Sequence, residues 1–549
     1  MANTTPASLT KALLLHLSFL ITLLVLLFAF TSLRPQPRTN PFTANNFVHH
    51  IASEEKKPCD LRQLETIEAK CKFLSSSGQC NPQGYMNYLH FFYCISGNYQ
   101  VLGLSVLFLC LVLLFHILGT TAATCFCSTL EGLSRDLKLS PAIAGTTLLS
   151  LGNGAPDVFS SIASFEASNT VDVGLNSVLG GALFVSTIVV GVVSIFVSSR
   201  QVAVDKLSFV RDSCFLLVVL LALTAILLSG TVTVPVAVGF ALLYLIYIFL
   251  VYITSLLYRI GKKPEEEAEE TVTMTLSEEK NAEQGIPLLS NSKQPKNCCQ
   301  VKLFCRRLLR LLELPLSLPR RLTIPEVSEA RWSKPFAVAS ATFSPVLLAT
   351  LWGRSLKAGL IGALVGLLIG CVAFFSTETD RPPTRFRLVW LAGGFLMSVT
   401  WTYATAAELV SLVVSLGTIL GISPALLGLT VLAWGDSLGD LIAAVAVVRG
   451  GPDGAQVVLS GCYAGPTFNT LMGLGLPMVL LAWKSRPSPA AVVVDTSVLE
   501  MLGFMAGGLL WALLMLLKRG MKPDGVLGGG LIAIYLCFMC IRLLRSSQE

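Results

Sequence analysis

The chain has 549 residues, of which 53% are apolar and 13% charged, with a mean hydropathy of +0.70. Soluble domains carry roughly 25% charge, so these figures exclude a soluble enzyme or a soluble binding module. The net charge of +7 does not call for a nucleic-acid partner, because Lys and Arg gather in the connections between apolar blocks, where they act as topology signals.

In chain order, residues 11–31 form an apolar run that reads as a signal peptide or signal anchor, giving a first unit of 1–31. Residues 32–99 are polar and carry Cys59, Cys71, Cys80 and Cys94. An even set of cysteines in a short extramembrane segment predicts up to two disulfides on the non-cytosolic side, with three connectivities open. Five apolar blocks then fill 100–257, each of the roughly 20-residue order a helix needs to cross a bilayer. A polar loop over 258–334, with the acidic run Glu265 to Glu270 followed by basic stretches, has the composition of a regulatory segment. Two more blocks lie within 335–386, and five within 387–544, so that twelve spans are predicted for the core.

With the 258–334 loop placed in the cytosol, the short connections on that side hold twelve Lys or Arg against six on the other. The positive-inside rule favours this orientation, which also puts the four cysteines in an oxidising compartment.

Aligned on itself at an offset of 283 residues, the chain matches SPAIAGTTLLSLGNGAPD (140–157) with SPALLGLTVLAWGDSLGD (423–440), with eight of eighteen positions identical. From the start of the first copy to the start of the second the chain makes seven predicted crossings, an odd number, so the copies enter the membrane from opposite faces. That is an inverted repeat, which secondary transporters use to build a site near the bilayer midplane. Gly152, Asn153, Gly154 and Pro156 in the first copy, and Gly435 and Gly439 in the second, predict interrupted helices whose freed carbonyls can meet a cation. Asp157 and Asp440 fall at matched positions, with Asp436 one turn before Asp440 on the same helical face. An Asp within a span costs about 2.5 to 3.5 kcal/mol on insertion scales, and a bound cation offsets that cost.

The candidate cation-binding residues are therefore Asp157, Asp440, Asp436, Asn153, Ser437 and Asn469, with Glu408, Thr467 and Pro156 as accessory candidates. For Asn176 and Ser186, in the span after the first copy, ordinary interhelical hydrogen bonding is as good a reading as ion coordination. The five histidines have no ligand spacing, so a zinc site is not expected.

The segments GNGAPDVFSS (152–161) and GDSLGDLIAA (435–444) resemble the paired alpha repeats of the calcium/cation antiporter superfamily. Within it the chain is similar to the cation/calcium exchanger branch, which includes the mitochondrial sodium/calcium exchanger. RWSKPFAVASATFSPVLLATLW (331–352) and SGCYAGPTFNTLMGLG (460–475) look most like the plant group. The resemblance implies an all-α polytopic membrane protein of two inverted five-helix repeats, here 100–257 and 387–544, with two extra spans before the second. It also implies that Asp157 and Asp440 stand where the superfamily carries its coordinating acids, with Asn153, Asp436 and Ser437 beside them. The chain departs from the wider pattern in having Asp where most members have Glu. It also reads Gly180-Gly181-Ala182 and Gly465-Pro466-Thr467 in the following spans, where many members have a Gly-Ser-Asn type motif.

The expected function is antiport of Ca2+ against Na+, K+ or H+ by alternating access, with no enzymatic activity and no cofactor. Its partners are the lipid bilayer and inorganic cations, with no nucleic acid, and no oligomeric state is assigned. The alternative is a proton-coupled K+ or Na+ antiporter with little Ca2+ transport. An intramembrane aspartyl protease is a remote third reading, since Pro156-Asp157 and Ser437-Leu438-Gly439-Asp440 lack the Tyr-Asp pair and the Gly-x-Gly-Asp turn such enzymes use. A disulfide-prone segment without an Arg-rich transit peptide favours the vacuolar membrane, endoplasmic reticulum or plasma membrane over the mitochondrion.

Overall fold

Backbone N–H and C=O groups have no water to bond inside a bilayer, so apolar runs of this length close into helices that satisfy those groups internally. The computed structural model describes residue 64 and residues 66–76, 84–97, 99–136, 150–167, 172–198, 204–261, 317–327, 332–353, 355–379, 381–383, 386–450, 454–492 and 495–546. The 11–31 block, Cys59, Cys80 and residues 262–316 of the loop lie outside the described residues, as does the Asn153 side chain.

Two short elements precede the spans: α1 (Ile67–Ser76), and α2 (Tyr88–His90), which runs into a π turn over Phe91–Ile95. The first repeat holds α3 (Gln100–Thr121), continued by a π turn and α4 (Cys127–Asp136), then α5 (Ser150–Ala167). It goes on with α6 (Asp172–Phe184), a π turn and α7 (Val190–Val197), then α8 (Lys206–Leu228), strand β1 (Thr231–Val232) and α9 (Val234–Gly261). The two extra spans are α10 (Lys334–Gly353) and α11 (Leu356–Ser376). The second repeat holds α12 (Arg387–Leu420), then α13 (Pro424–Leu427), a π turn over Gly428–Leu432 and α14 (Ala433–Gly450). It closes with α15 (Gly454–Lys484), strand β2 (Ala490–Ala491), α16 (Thr496–Lys518) and α17 (Gly525–Ser546).

Among the described residues, eleven helices are long and apolar enough to cross a membrane. The remaining predicted span appears as α5, whose motif makes it the polar exception. Local chemistry sets several ends. Asp205 caps α8 by accepting from the Ser208 N–H at 3.0 Å. Ser423 caps α13 with Pro424 in the first turn, a start that suits a residue lacking an N–H. Gly421, with φ 73°, closes α12 in the left-handed conformation that glycine adopts without strain.

The helices of one repeat pack on the opposite-numbered helices of the other. The motif helix α5 lies against α15, and its counterpart α14 against α6. Likewise α12 packs on α5 as α3 does on α14, and α9 packs on α15 as α17 does on α7. The connections obey the same relation. At one end of the bundle Thr231 and Val232 pair antiparallel with Ala491 and Ala490; elsewhere the Val204 N–H bonds the Met521 carbonyl at 2.9 Å, joining the turn before α8 to the turn before α17. This reciprocal pairing is what two inverted five-helix units produce, and it places both aspartate motifs side by side in the middle of the chain's packing.

The extra spans form a tight hairpin. Gly362, Gly366 and Gly370 line one stripe of α11, and a Cβ at Gly366 would stand 2.1 Å from the Thr342 carbonyl oxygen of α10. Small residues at such spacing let two backbones approach within a membrane.

Candidate cation site

The motifs do not interrupt their helices. α5 runs through Gly152, Gly154 and Pro156, and α14 runs through Gly435 and Gly439. This corrects the expectation of broken helices: a glycine weakens a helix by only about 1 kcal/mol and keeps its N–H. Gly435 serves close packing instead, since a Cβ there would meet the Phe115 ring at 2.1 Å. The irregular backbone of the second copy is the π turn over Gly428–Leu432, just before the motif.

Freed carbonyls arise from proline rather than from glycine. Pro156 has no N–H to give the Gly152 carbonyl, and in α15 Pro466 and Pro477 likewise release the carbonyls of Cys462 and Gly473. The Gly473 carbonyl is recovered by the Ser161 hydroxyl of α5, which donates to it at 2.5 Å. That bond stitches α5 to α15 beside the site.

Asp157, on α5, accepts a close hydrogen bond from the Asn469 amide of α15. It also stands near enough to Asp436 and Asp440 of α14 for their charges to act on it, and those two act on each other. Three part-buried acids from two helices therefore share one region, and the buried Asn469 belongs to it. Ser437, 1% exposed, lies beside Gly181, where a Cβ would be 3.3 Å from its hydroxyl oxygen. Gly180 lets α6 approach the π turn, a Cβ there lying 3.0 Å from the Leu429 carbonyl. The Gly180-Gly181 departure from the family pattern is thus explained by packing. Among the described residues, Asp436 Oδ2, Ser437 Oγ and Asn469 Oδ1 are buried without a hydrogen-bond partner. All three are oxygens, and a buried acceptor left unbonded costs about 1 to 3 kcal/mol.

The other candidates separate from this group. The Thr467 hydroxyl donates to the Tyr463 carbonyl of its own helix at 2.8 Å. Ser186 bonds the Leu183 carbonyl at 3.3 Å. Asn176 is buried on α6. Glu408 of α12 has its two carboxylate oxygens taken by the Tyr85 N–H and by the Tyr88 hydroxyl, the latter at 2.7 Å.

One intramembrane acid escaped sequence reasoning. Asp212, in the second turn of α8, is fully buried and pairs with Arg211 Nε at 2.8 Å. It also accepts from the Tyr247 hydroxyl at 3.0 Å and the Ser460 hydroxyl at 2.9 Å. The neighbouring Arg made it look like a loop residue, although its apolar flank from Ser213 onward placed it at the span's edge. The contrast is chemical: Asp212 and Glu408 have protein donors, whereas the Asp157, Asp436 and Asp440 group leaves oxygens unpaired. Among the described residues no three acids, histidines or cysteines stand close enough to hold a metal alone, so any bound ion must also draw on neutral oxygens.

Gly154 guards this geometry. A Cβ there would lie 2.2 Å from Asn469 Oδ1 and 2.5 Å from the Phe468 ring. Gly154→Ala is expected to lower stability by about 1 to 3 kcal/mol through overpacking, pushing Asn469 off Asp157. Thermal unfolding of the solubilised protein measures this, and an unchanged midpoint would count against the packing.

The family described as "Sodium/calcium exchanger protein" matches residues 107–253 and 390–544. Cation/calcium exchanger 1 of Arabidopsis thaliana is 48% identical over 542 residues, covering 94% of this chain and 93% of its own. The mitochondrial sodium/calcium exchanger protein of Rattus norvegicus is 31% identical over 551 residues, covering 92% of each. Among solved structures, the H+/Ca2+ exchanger CAX covers 78% of this chain and 79% of its own at 15% identity, with a TM-score of 0.40. The matched residues take in both five-helix repeats, and the relatives span nearly the whole length, so the chain belongs to the sodium/calcium exchanger protein family and is a multi-pass membrane protein.

Proposed function

We propose that the protein is a secondary active antiporter that exchanges Ca2+ against monovalent cations, with Asp157, Asp436 and Asp440 forming the acidic part of the transported ion's site. The observation that carries this reading is the set of unpaired buried oxygens around those acids, on Asp436, Ser437 and Asn469. A buried carboxylate without a donor is costly unless a cation pairs with it. The donors are carboxylate, amide and hydroxyl oxygens, a set that suits Ca2+, Na+ or K+ better than thiophilic metals.

Ca2+ takes six to eight oxygens. Asp157, Asp440, Asp436, Ser437 and Asn469 supply side-chain oxygens, and the carbonyls released by Pro156 and Pro466 are backbone candidates. Cys462, whose carbonyl Pro466 releases, lies near enough to Asp440 to feel its charge. In this reading the ion draws the acids together, and its loss to one face lets a counter-ion take their charge. The inverted pairing of α5 with α15 and of α14 with α6 gives the two faces equivalent walls, as alternating access requires. The non-cytosolic placement of the Cys71–Cys94 segment and residence in an endomembrane or the plasma membrane belong to the same proposal.

The test is Ca2+ uptake by proteoliposomes loaded in turn with Na+, K+ or a proton gradient. One or more outward gradients should drive uptake, and the effective one names the counter-ion. Vesicles that exchange K+ or Na+ for protons but never move Ca2+ would replace this reading with the proton-coupled alternative.

A further inference from the structure

The segment before α3 is more than a connection. A disulfide joins Cys71 of α1 to Cys94 of the π turn, with Cα atoms 5.1 Å apart. Tyr88, Leu89, Phe92 and Tyr93 of that segment are buried, continuous with the transmembrane core. Its docking is close on both neighbours. A Cβ at Gly84 would lie 2.7 Å from the Ser411 hydroxyl of α12, and one at Gly103 of α3 would lie 2.3 Å from the Ser96 hydroxyl of the segment. Both oxygens of Glu408 are bound by it, through the Tyr85 N–H and the Tyr88 hydroxyl. Burial and the bond to Glu408 push the Tyr88 phenol well above its usual value, so it stays a donor.

The other end of the same helix pair is held in a similar way. Buried Arg320 donates to the Thr120 and Thr121 hydroxyls of α3 at 3.0 and 2.7 Å, and the Trp401 indole of α12 donates to the Thr323 hydroxyl at 2.8 Å. Helices α3 and α12 pack on each other, and α12 packs on α5, which carries Asp157. The first helices of the two repeats are thus tied by one extra-repeat segment before α3 and another before α10. Only the former carries a covalent fastening among the described residues.

We propose that residues 84–97, fastened by Cys71–Cys94, are a strap that restrains α12 against α3 through Glu408, and that loosening the strap speeds the conformational cycle of the protein. Helix α12 packs on α5, which carries Asp157, so a shift of α12 along α5 would change the walls around that acid, and the hydrogen bonds from the strap to Glu408 oppose such a shift. The disulfide confines the strap by tying it to α1. When a dithiol reduces it, the Sγ–Sγ bond breaks, each sulfur takes up one electron and one proton, and the dithiol closes into its own disulfide. The strap is then held by non-covalent contacts alone.

The turnover part of this proposal rests on the exchange reading; the structural part does not. The experiment therefore reads both on the full-length protein in vesicles: hydrogen exchange of residues 404–412, and Ca2+ uptake, with and without a dithiol, for wild type and Tyr88→Phe. Reduction and Tyr88→Phe should each raise amide exchange in 404–412 severalfold and raise turnover severalfold, with little added effect when combined, since both release one restraint. Reduction is applied to folded protein, so a failure of Cys71→Ser to fold does not block the test. Unchanged amide exchange after mass spectrometry shows the disulfide reduced would overturn the proposal, as would slower turnover or fully additive effects. If no vesicle moves Ca2+ at all, the exchange reading fails while the amide-exchange result still decides the strap.

Discussion

Asp157→Ala and Asp440→Ala are each expected to abolish cation exchange in proteoliposomes while leaving a folded protein. These acids sit on α5 and α14, one from each repeat, and each variant takes a carboxyl group out of the site. Because they act on one another and on Asp436, the empty site crowds carboxyl groups together, and ionising all of them without a cation is disfavoured. Removing one acid therefore relieves repulsion as it destroys binding. The expected pattern is loss of flux of about tenfold or more, with an unfolding midpoint in chelator that is unchanged or raised, since a group whose interaction energy matters by ~1.4 kcal/mol already changes an equilibrium tenfold. Ca2+ should raise the midpoint of wild type, by the linkage between ligand and folded state, and fail to raise that of either variant. Flux within twofold of wild type for both variants would remove Asp157 and Asp440 from the site.

Asp212→Ala is expected to show the opposite pattern. It leaves the part-buried Arg211 with Thr254 but without its carboxylate, and strips the acceptor from Tyr247 and Ser460. Breaking a buried ion pair by removing one partner costs about 3 to 5 kcal/mol, so the solubilised protein should unfold many degrees earlier with or without Ca2+. Ser460 belongs to α15 and Tyr247 to α9, so the loss loosens the contact between repeats rather than the ion site. Replacing Arg211 and Asp212 together by apolar residues should recover much of the stability, because no unpaired charge then remains. A melting point near wild type for Asp212→Ala alone would show that the network contributes little. Asp212 and Asp157 are thus expected to separate by their partners, the first being needed for stability and the second for transport.

Much of this was legible in the sequence because the physics is local. Helix positions followed from apolar length, and the pairing of Asp157 with Asp440 followed from the repeat, whose matched residues need no contact information. Asn469 was also legible, as a polar residue in the span after a motif. What the chain order does not carry is who stands opposite whom. The continuity of α14 through Gly435 and Gly439 was missed because a glycine reads as a break in one dimension, whereas Gly435 is there for Phe115 of α3. Asp212 was missed because its three donors lie on α8, α9 and α15. Glu408 reads in the sequence only as an accessory candidate, because its partners Tyr85 and Tyr88 lie more than three hundred residues earlier in the chain. The pairing of Cys71 with Cys94 was one of several open connectivities until the fold brought α1 to the π turn.

The proposed function places one transported cation between Asp157 and Asp440, across the repeat interface. The most direct measurement is a structure of the protein in Ca2+ beside one in chelator, with Sr2+ as a heavier substitute. A density peak is expected that appears only with the divalent ion, about 2.3 to 2.6 Å from carboxylate oxygens of Asp157 and Asp440, with Asp436, Ser437 or Asn469 turned toward it. Equal density in both maps, or a divalent ion bound elsewhere while these three acids keep their positions, would contradict it.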